Sequence, residues 1–213
     1  MHIHYIFAHP KPTSFNTAMF QVALETIREK GDDMKVSSLY AMHFNPNFGP
    51  HDFTKRIRRD RLDALAEALH AAKTNTFAHD IANEMRKVKW ADMLIFHFPI
   101  YFSSCPAIVK GWFDRVFQAG FAFNPETGEM YEKGLLRGKK AQIVCSCGAT
   151  KEEYSAGGLH GDIHQLLRPI THATLEFAGI EVLPPYIVYG AYGQTREEGK
   201  EAMDRYREFL KNL

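Results

Sequence analysis

Seven residues in the middle of the chain, Met93-Leu-Ile-Phe-His-Phe-Pro99, are apolar without alternation except for His97. An amphipathic helix or a half-exposed strand would show a polar residue every second to fourth position. An uninterrupted run of this length predicts a strand covered on both faces, the central position of a parallel sheet. A chain organised around such a strand needs helices above and below it. The flanking sequence supplies them.

Ile3 to Ala8 forms a first short apolar run, and beyond His9-Pro10-Lys11-Pro12 the pattern becomes helical, with Phe15, Met19, Val22, Ala23, Thr26 and Ile27 on one side. Thr13 or Ser14 suits the N-cap of that helix and Gly31 its end. A second strand is predicted at about Met34 to Tyr40. Ala41 to Gly49 reads as loop, and charged helical segments follow near Thr54 to Ala72 and Asp80 to Val88. Helical spacing resumes at Ala107 to Phe117, strand character at Ala141 to Cys147, and a helix interrupted at Pro169 is expected over Gly161 to Ala178. Glu181 to Tyr189 is the fifth strand, with Pro184-Pro185 arguing for an edge or irregular start. Thr195 to Leu213 closes as an amphipathic helix. Strand and helix thus alternate along residues 1 to 213, predicting one α/β domain: an open five-stranded parallel sheet with helices on both faces, of the flavodoxin-like kind.

Composition narrows the function. Lys and Arg number 26 against 25 Asp and Glu, a formal net charge of +1, which gives no footprint for nucleic acid or an anionic membrane. The longest stretch free of formal charge, Met93 to Val109, is too short and too broken by proline and serine to span a bilayer. Met-His-Ile-His-Tyr lacks the features of a secretory leader, so a cytoplasmic enzyme is expected. Cys105, Cys145 and Cys147 are an odd number, which argues against a disulfide framework. Cys145 and Cys147 would share one strand face as buried thiols, without a second pair to complete a metal site.

In open α/β sheets ligands lie beyond the carboxyl ends of the strands, which singles out His9 to Asn16, Pro99 to Cys105 and Ser146 to Tyr154. The first loop has neither G-x-G-x-x-G nor a P-loop, so a dedicated dinucleotide domain or an ATPase is disfavoured. Thr13 and Ser14 at a helix N-terminus can seat a pyrophosphate, and serve equally as plain caps. Ile100, Tyr101 and Phe102 can flank a planar ring such as isoalloxazine, or belong to core or interface. Tyr154 and His160, among glycines, are the groups able to stabilise or protonate the charge left when hydride reaches a flavin.

Four segments together resemble the NAD(P)H:quinone oxidoreductases of the DT-diaphorase type. They are AHPKPTSFN at Ala8 to Asn16, SLYAMHFNP at Ser38 to Pro46, FPIYFSSCPAIVKGWFDRVF at Phe98 to Phe117, and YSAGGLHGD at Tyr154 to Asp162. The resemblance implies FAD, a homodimer with active sites at its interface, and ping-pong hydride transfer from NADPH or NADH to a quinone or similar small acceptor. It implies His9, Phe15 and Asn16 on the adenosine and pyrophosphate side, with Pro99 to Ser103 and Ser146, Cys147, Gly148 and Ala149 around the isoalloxazine. Tyr154 and His160 become the proton-relay pair. Phe102 lines the acceptor slot with Phe123, Met130 and Phe177 of the partner subunit, and Lys200 stands where the family has an arginine near the adenine.

The chain also departs from that pattern. Phe102 replaces the usual tryptophan, Ser103 a phenylalanine, and Cys147 and Ala149 alter a Thr-Thr-Gly-Gly loop, which implies a wider and more polar slot. Pro125 to Gly128 is an insertion, and the family's longer C-terminal region is absent after Leu213. One branch carries a metal on two histidines a helical turn apart; His172 and Glu176 stand there, and no bound metal is expected. An alternative within the fold is an FMN-dependent regulatory oxidoreductase subunit of a potassium efflux system, which shares the His-Pro first loop and the spacing of Pro99 and Pro106. An electron carrier without turnover of its own is a third class, which Tyr154 and His160 argue against.

Overall fold

The computed structural model describes all 213 residues. Its sheet has the order β2-β1-β3-β4, with β5 and β6 sharing the position beyond β4, and every pairing is parallel. The strands are β1 (His2–Phe7), β2 (Asp33–Ser38), β3 (Met93–Pro99), β4 (Lys140–Ser146), β5 (Glu181–Val182) and β6 (Tyr186–Val188). All seven residues of β3 are buried, as the apolar run requires, and β4 is buried after its first residue. The expected fifth strand is real but broken. Pro184 and Pro185 have no N–H to give the ladder. Gln142, inside β4, bridges the gap by donating its side-chain amide to the Pro184 carbonyl at 2.9 Å.

Two apolar layers sandwich the sheet. On one side α1 (Phe15–Glu29) and α7 (Arg196–Lys211) cover Tyr5, Phe7, Met93 and Ile95. On the other α3 (His79–Trp90) and α4 (Ala107–Val116) cover Ile6, Leu94, Phe96 and Ile143, with α2 (Ala64–Thr74) beside them. Ser14 caps α1, accepting from the Thr17 N–H at 3.1 Å, and Thr195 and Glu198 form a reciprocal capping box at the start of α7.

Two helical expectations change. Residues 54 to 63 are not helical, and α2 begins only at Ala64. The buried Glu67 carboxylate takes the Ile57 N–H at 2.9 Å and the Arg58 N–H at 3.3 Å, so these donors are satisfied by a side chain instead of a helix. The segment expected over Gly161 to Ala178 divides into α5 (Ile163–Leu166), α6 (Arg168–Ile170), a π turn at Thr171–Leu175 and a 3₁₀ turn at Glu176–Ala178. Pro169 sits at the break, where its missing N–H prevents a continuous ladder.

Histidines are built into both faces of the sheet. His97 Nδ1 lies 2.8 Å from the Tyr5 hydroxyl, which lies 3.0 Å from that of Tyr206, while His97 Nε2 is buried without a partner. His4 Nε2 lies 2.8 Å from Ser37 Oγ, which donates to Glu84 at 2.7 Å. Burial, helped by neighbouring positive charge, lowers both imidazoles from 6.5 to about 3. Between these values the unfolded chain binds protons that the folded chain refuses, so stability is full above pH 6.5 and declines as the pH falls toward 3. We expect each histidine to contribute up to about 1.4 kcal/mol of loss per pH unit in that window. Urea unfolding across it, with His97→Gln as comparison, tests this; a midpoint that does not move on acidification would show that neither group is linked to folding.

Candidate active site

Three loops meet at the carboxyl edge of β1, β3 and β4, and the chain ties them to one another. The Ala8 N–H donates to the His97 carbonyl at 2.9 Å, and the Ile100 N–H to the Ser146 carbonyl at 2.8 Å. Across 130 residues of sequence, buried Asn16 donates its amide to Ser146 Oγ at 2.9 Å, and that hydroxyl returns a bond to Asn16 Oδ1 at 3.1 Å. The start of α1 is thus pinned to the end of β4. His9 Nδ1 accepts the Lys11 N–H at 3.1 Å, and burial pulls the imidazole pKa down.

The second loop is a tight turn. Tyr101 and Ser104 exchange backbone hydrogen bonds of 2.9 and 3.1 Å, while Phe102 and Ser103 have φ of 47° and 61°. Two successive left-handed residues make the mirror-image turn that normally takes Asn-Gly, and placing side chains there costs about 1–2 kcal/mol per residue. Such strain concentrates at functional positions. Its effect here is to lift the Phe102 ring wholly into solvent, with Tyr101 beside it at 42% exposure.

The third loop is folded against itself. Thr150 and Glu153 cap each other, the Thr150 N–H donating to the Glu153 carboxylate at 2.8 Å and the Glu153 N–H to Thr150 Oγ1 at 3.2 Å. These bonds, with nearby His160, hold the Glu153 pKa below its usual value. The His160 N–H donates to the Glu153 carbonyl at 2.9 Å, and the rings of His160 and Tyr154 lie 5.0 Å apart at 39°. Tyr154 is buried and His160 exposed, so the pair runs from the protein interior to solvent. Neighbouring Cys147 is buried, which raises its pKa to about 11 and keeps it a thiol at neutral pH. Ala191 and Gly190 donate N–H groups to the Cys147 and Ala149 carbonyls at 2.8 and 2.9 Å, bracing this loop against the segment after β6.

Backbone N–H groups of all three loops at this edge find no acceptor in the chain, among them those of Phe15 and Asn16 in the first turn of α1, Phe102 and Ser103 in the tight turn, and Gly148 and Ala149 after β4. Added to the positive end of the α1 dipole, they make the edge a seat for anionic or carbonyl oxygen. Lys200 is exposed on α7, which runs parallel to α1: Lys30 Nζ donates to the Leu210 carbonyl at 3.0 Å and Arg207 to Glu25 at 3.3 Å. Lys200 precedes Arg207 by about two turns and therefore lies toward the loop edge.

Phe123 and Phe177 stand apart from the three loops. They pack on each other at 5.0 Å and line an apolar cavity of about 350 Å³ with Phe48, Phe113 and Phe117. Met130 follows a hairpin in which Asn124 and Glu129 exchange 2.9 Å bonds around Pro125 to Gly128. His172 Nδ1 and Glu176 Oε2 are 2.7 Å apart and bond each other on an exposed surface.

Sheet order and loop cluster together define a flavodoxin-like α/β protein. The family described by that fold, Flavodoxin_2, matches residues 1–210, and the chain belongs to it. Within it the chain is one of the NAD(P)H:quinone oxidoreductases. It is 39% identical over 209 residues to NAD(P)H dehydrogenase [quinone] 1 of Cavia porcellus, covering 98% of this chain and 75% of that one. It is 38% identical over 209 residues to ribosyldihydronicotinamide dehydrogenase [quinone] of Rattus norvegicus, covering 98% and 90%. A crystal structure of a candidate quinone reductase from Klebsiella pneumoniae superposes with a TM-score of 0.94 at 33% identity, over 100% of this chain and 85% of that one.

Sequence reasoning did not find Gly158. A Cβ there would lie 2.2 Å from the Glu152 carbonyl oxygen and 2.5 Å from that of Glu153, inside the loop that sets Tyr154 against His160. Gly158→Ala is expected to loosen residues 150 to 162 and cost about 1–3 kcal/mol. Hydrogen exchange reads it directly: protection in that loop should fall while β1, β3 and β4 keep theirs, and unchanged loop protection would mean that the backbone absorbs the methyl group.

Proposed function

We propose that this chain is an NAD(P)H dehydrogenase acting on quinones or similar small acceptors, a cytoplasmic homodimer of one flavodoxin-like domain per chain. The observation that carries the reading is the pairing of Tyr154 with His160 at 5.0 Å, reaching from the interior to solvent beside the unpaired N–H groups of Gly148 and Ala149. A carrier that only passes electrons has no use for a proton path. A flavin held there would supply the two-electron chemistry that links NADPH or NADH to the acceptor in a ping-pong sequence.

The chain's residues divide the remaining work. The Phe15 and Asn16 N–H groups at the α1 terminus, with Thr13, Ser14 and His9 nearby, would hold a pyrophosphate, and Lys200 the adenine side, which favours FAD over FMN. Pro99, Ile100, Tyr101, Phe102 and Ser103 would flank one edge of the ring system, and Ser146, Cys147, Gly148 and Ala149 the other. Tyr154 holds a proton at its hydroxyl, and His160 exchanges one between that hydroxyl and water. Neutral Cys147 adds no charge to the site. Phe102 forms one wall of the acceptor slot, and a second copy would add Phe123, Met130 and Phe177, which lie outside their own chain's loop cluster as a partner-facing patch should.

Anaerobic stopped-flow absorbance on the yellow protein tests this reading. Mixing with NADPH or NADH should bleach the flavin and a simple benzoquinone should restore it completely; a flavin that neither nucleotide bleaches would make the chain a carrier. The mass of the cofactor released on denaturation distinguishes FAD from FMN. His160→Gln should slow re-oxidation by quinone at least as much as reduction by the nucleotide, by about tenfold or more, since positioned proton transfer is commonly worth that much. Unchanged rates in both half-reactions would remove His160 from the proton path.

A further inference from the structure

A second cavity, of about 520 Å³, lies away from the loop cluster, between the end of α2, the outer face of α3 and the turn at Gly120. Its volume falls in the range of small-molecule sites. Phe77 and Phe121, at 9% and 7% exposure, and buried Met85 form an apolar floor with Ala72 and Ala82. The rim carries His79, Arg86 and Lys89 with Thr54 and Asn75, and no carboxylate lines it. None of these three basic residues takes part in an ion pair in a chain that makes seventeen, and the Lys89 ammonium stands 5.7 Å over the Phe121 ring.

Lys110, Arg205 and Lys211 pair with Asp114, Glu201 and Glu208 on their own helices, whereas the carboxylates of α3 lie off this rim and none lines the cavity. Charge left uncompensated around a hydrophobic floor is the arrangement that retains an amphipathic anion, its ring on the aromatic floor and its acid group at the rim. Gly120 keeps the opening clear at one end. Its φ is +78°, and a Cβ there would meet Ala72 Cβ at 2.6 Å.

We propose that this cavity is a binding site for a flat organic anion, an aromatic carboxylate or sulfonate, separate from the quinone site. His79, Arg86 and Lys89 hold its acid group, and Phe77, Met85 and Phe121 its ring. The site abuts the acceptor-side patch: the Gly120 N–H donates to the Phe123 carbonyl at 2.7 Å, so Phe121 faces one cavity and Phe123 the other across a single turn.

Isothermal titration calorimetry of the flavin-loaded protein with naphthalene sulfonate tests the assignment. One equivalent should bind, and the double variant Arg86→Glu with Lys89→Glu, both exposed and outside the proposed catalytic machinery, should weaken it about tenfold or more, the scale of two lost charge-assisted contacts. Uncharged naphthalene should bind no better to the wild-type chain than to the variant. Equal affinity of wild type and variant for the sulfonate would overturn the proposal, as would its displacement by benzoquinone, which would place it in the acceptor slot.

Discussion

A single buried guanidinium organises the half of the molecule that has no sheet of its own. Arg115, at 1% exposure in α4, donates to Asp52 at 2.9 Å, to Asp80 at 2.6 Å and to the Asn45 carbonyl at 2.9 Å, and its plane lies 5.1 Å from the Phe44 ring. An unpaired charge in that position would be ruinous, whereas one with two carboxylates and a carbonyl around it fixes three segments at once. The irregular stretch from Tyr40 to Asp63, the start of α3 and the body of α4 all converge there. Asp52 passes the constraint on, its carbonyl accepting the Ala78 N–H at 2.8 Å. Gly111 completes the contact, since a Cβ would come within 2.2 Å of the Pro46 carbonyl oxygen. Both apolar cavities have walls set by this junction, through Phe48 in one and Phe77 in the other.

On the same side of the sheet, Glu84 plays the corresponding part. Its carboxylate receives Ser37 at 2.7 Å, Trp112 Nε1 at 2.8 Å and Lys87 Nζ at 2.6 Å, joining β2, α3 and α4. Buried polar groups satisfied this fully specify which element packs on which, because any other arrangement strands a charge. The loop edge gains from that rigidity: β1 and β3 are packed by an apolar layer on each face before the loops at their ends begin.

Much of this was legible in the sequence, and for physical reasons that also explain the remainder. Unbroken apolar runs such as Met93 to Pro99 have few alternatives to a buried strand, and a Ser or Thr before helical spacing is a cap, as Ser14 proves to be. The loops holding His9, Tyr101 and Tyr154 follow from topology, whereas His160 is singled out by its chemistry among the glycines beyond them. What escaped notice depends on partners far away in sequence. Residues 54 to 63 have helical spacing, yet Glu67 withdraws the N–H groups of Ile57 and Arg58 into side-chain bonds. The Asn16 and Ser146 pair joins residues 130 apart, and nothing local distinguishes Gly158 from its neighbour Gly157, around which a Cβ would meet nothing within 4 Å. Left-handed Phe102 and Ser103 run against every local preference, which is how a strained site differs from an ordinary turn.

The broken rim of the sheet bears on how the protein behaves at high concentration. A long edge strand is a template on which a second molecule can continue the ladder. Here one margin is divided by Pro184 and Pro185, and Gln142 occupies the gap with a side-chain amide. The other margin, β2, turns Asp33 and Lys35 outward. Neither offers six consecutive free backbone groups flanked by apolar side chains, so strand-to-strand polymerisation has no starting point and the surfaces left for self-association are helical and aromatic.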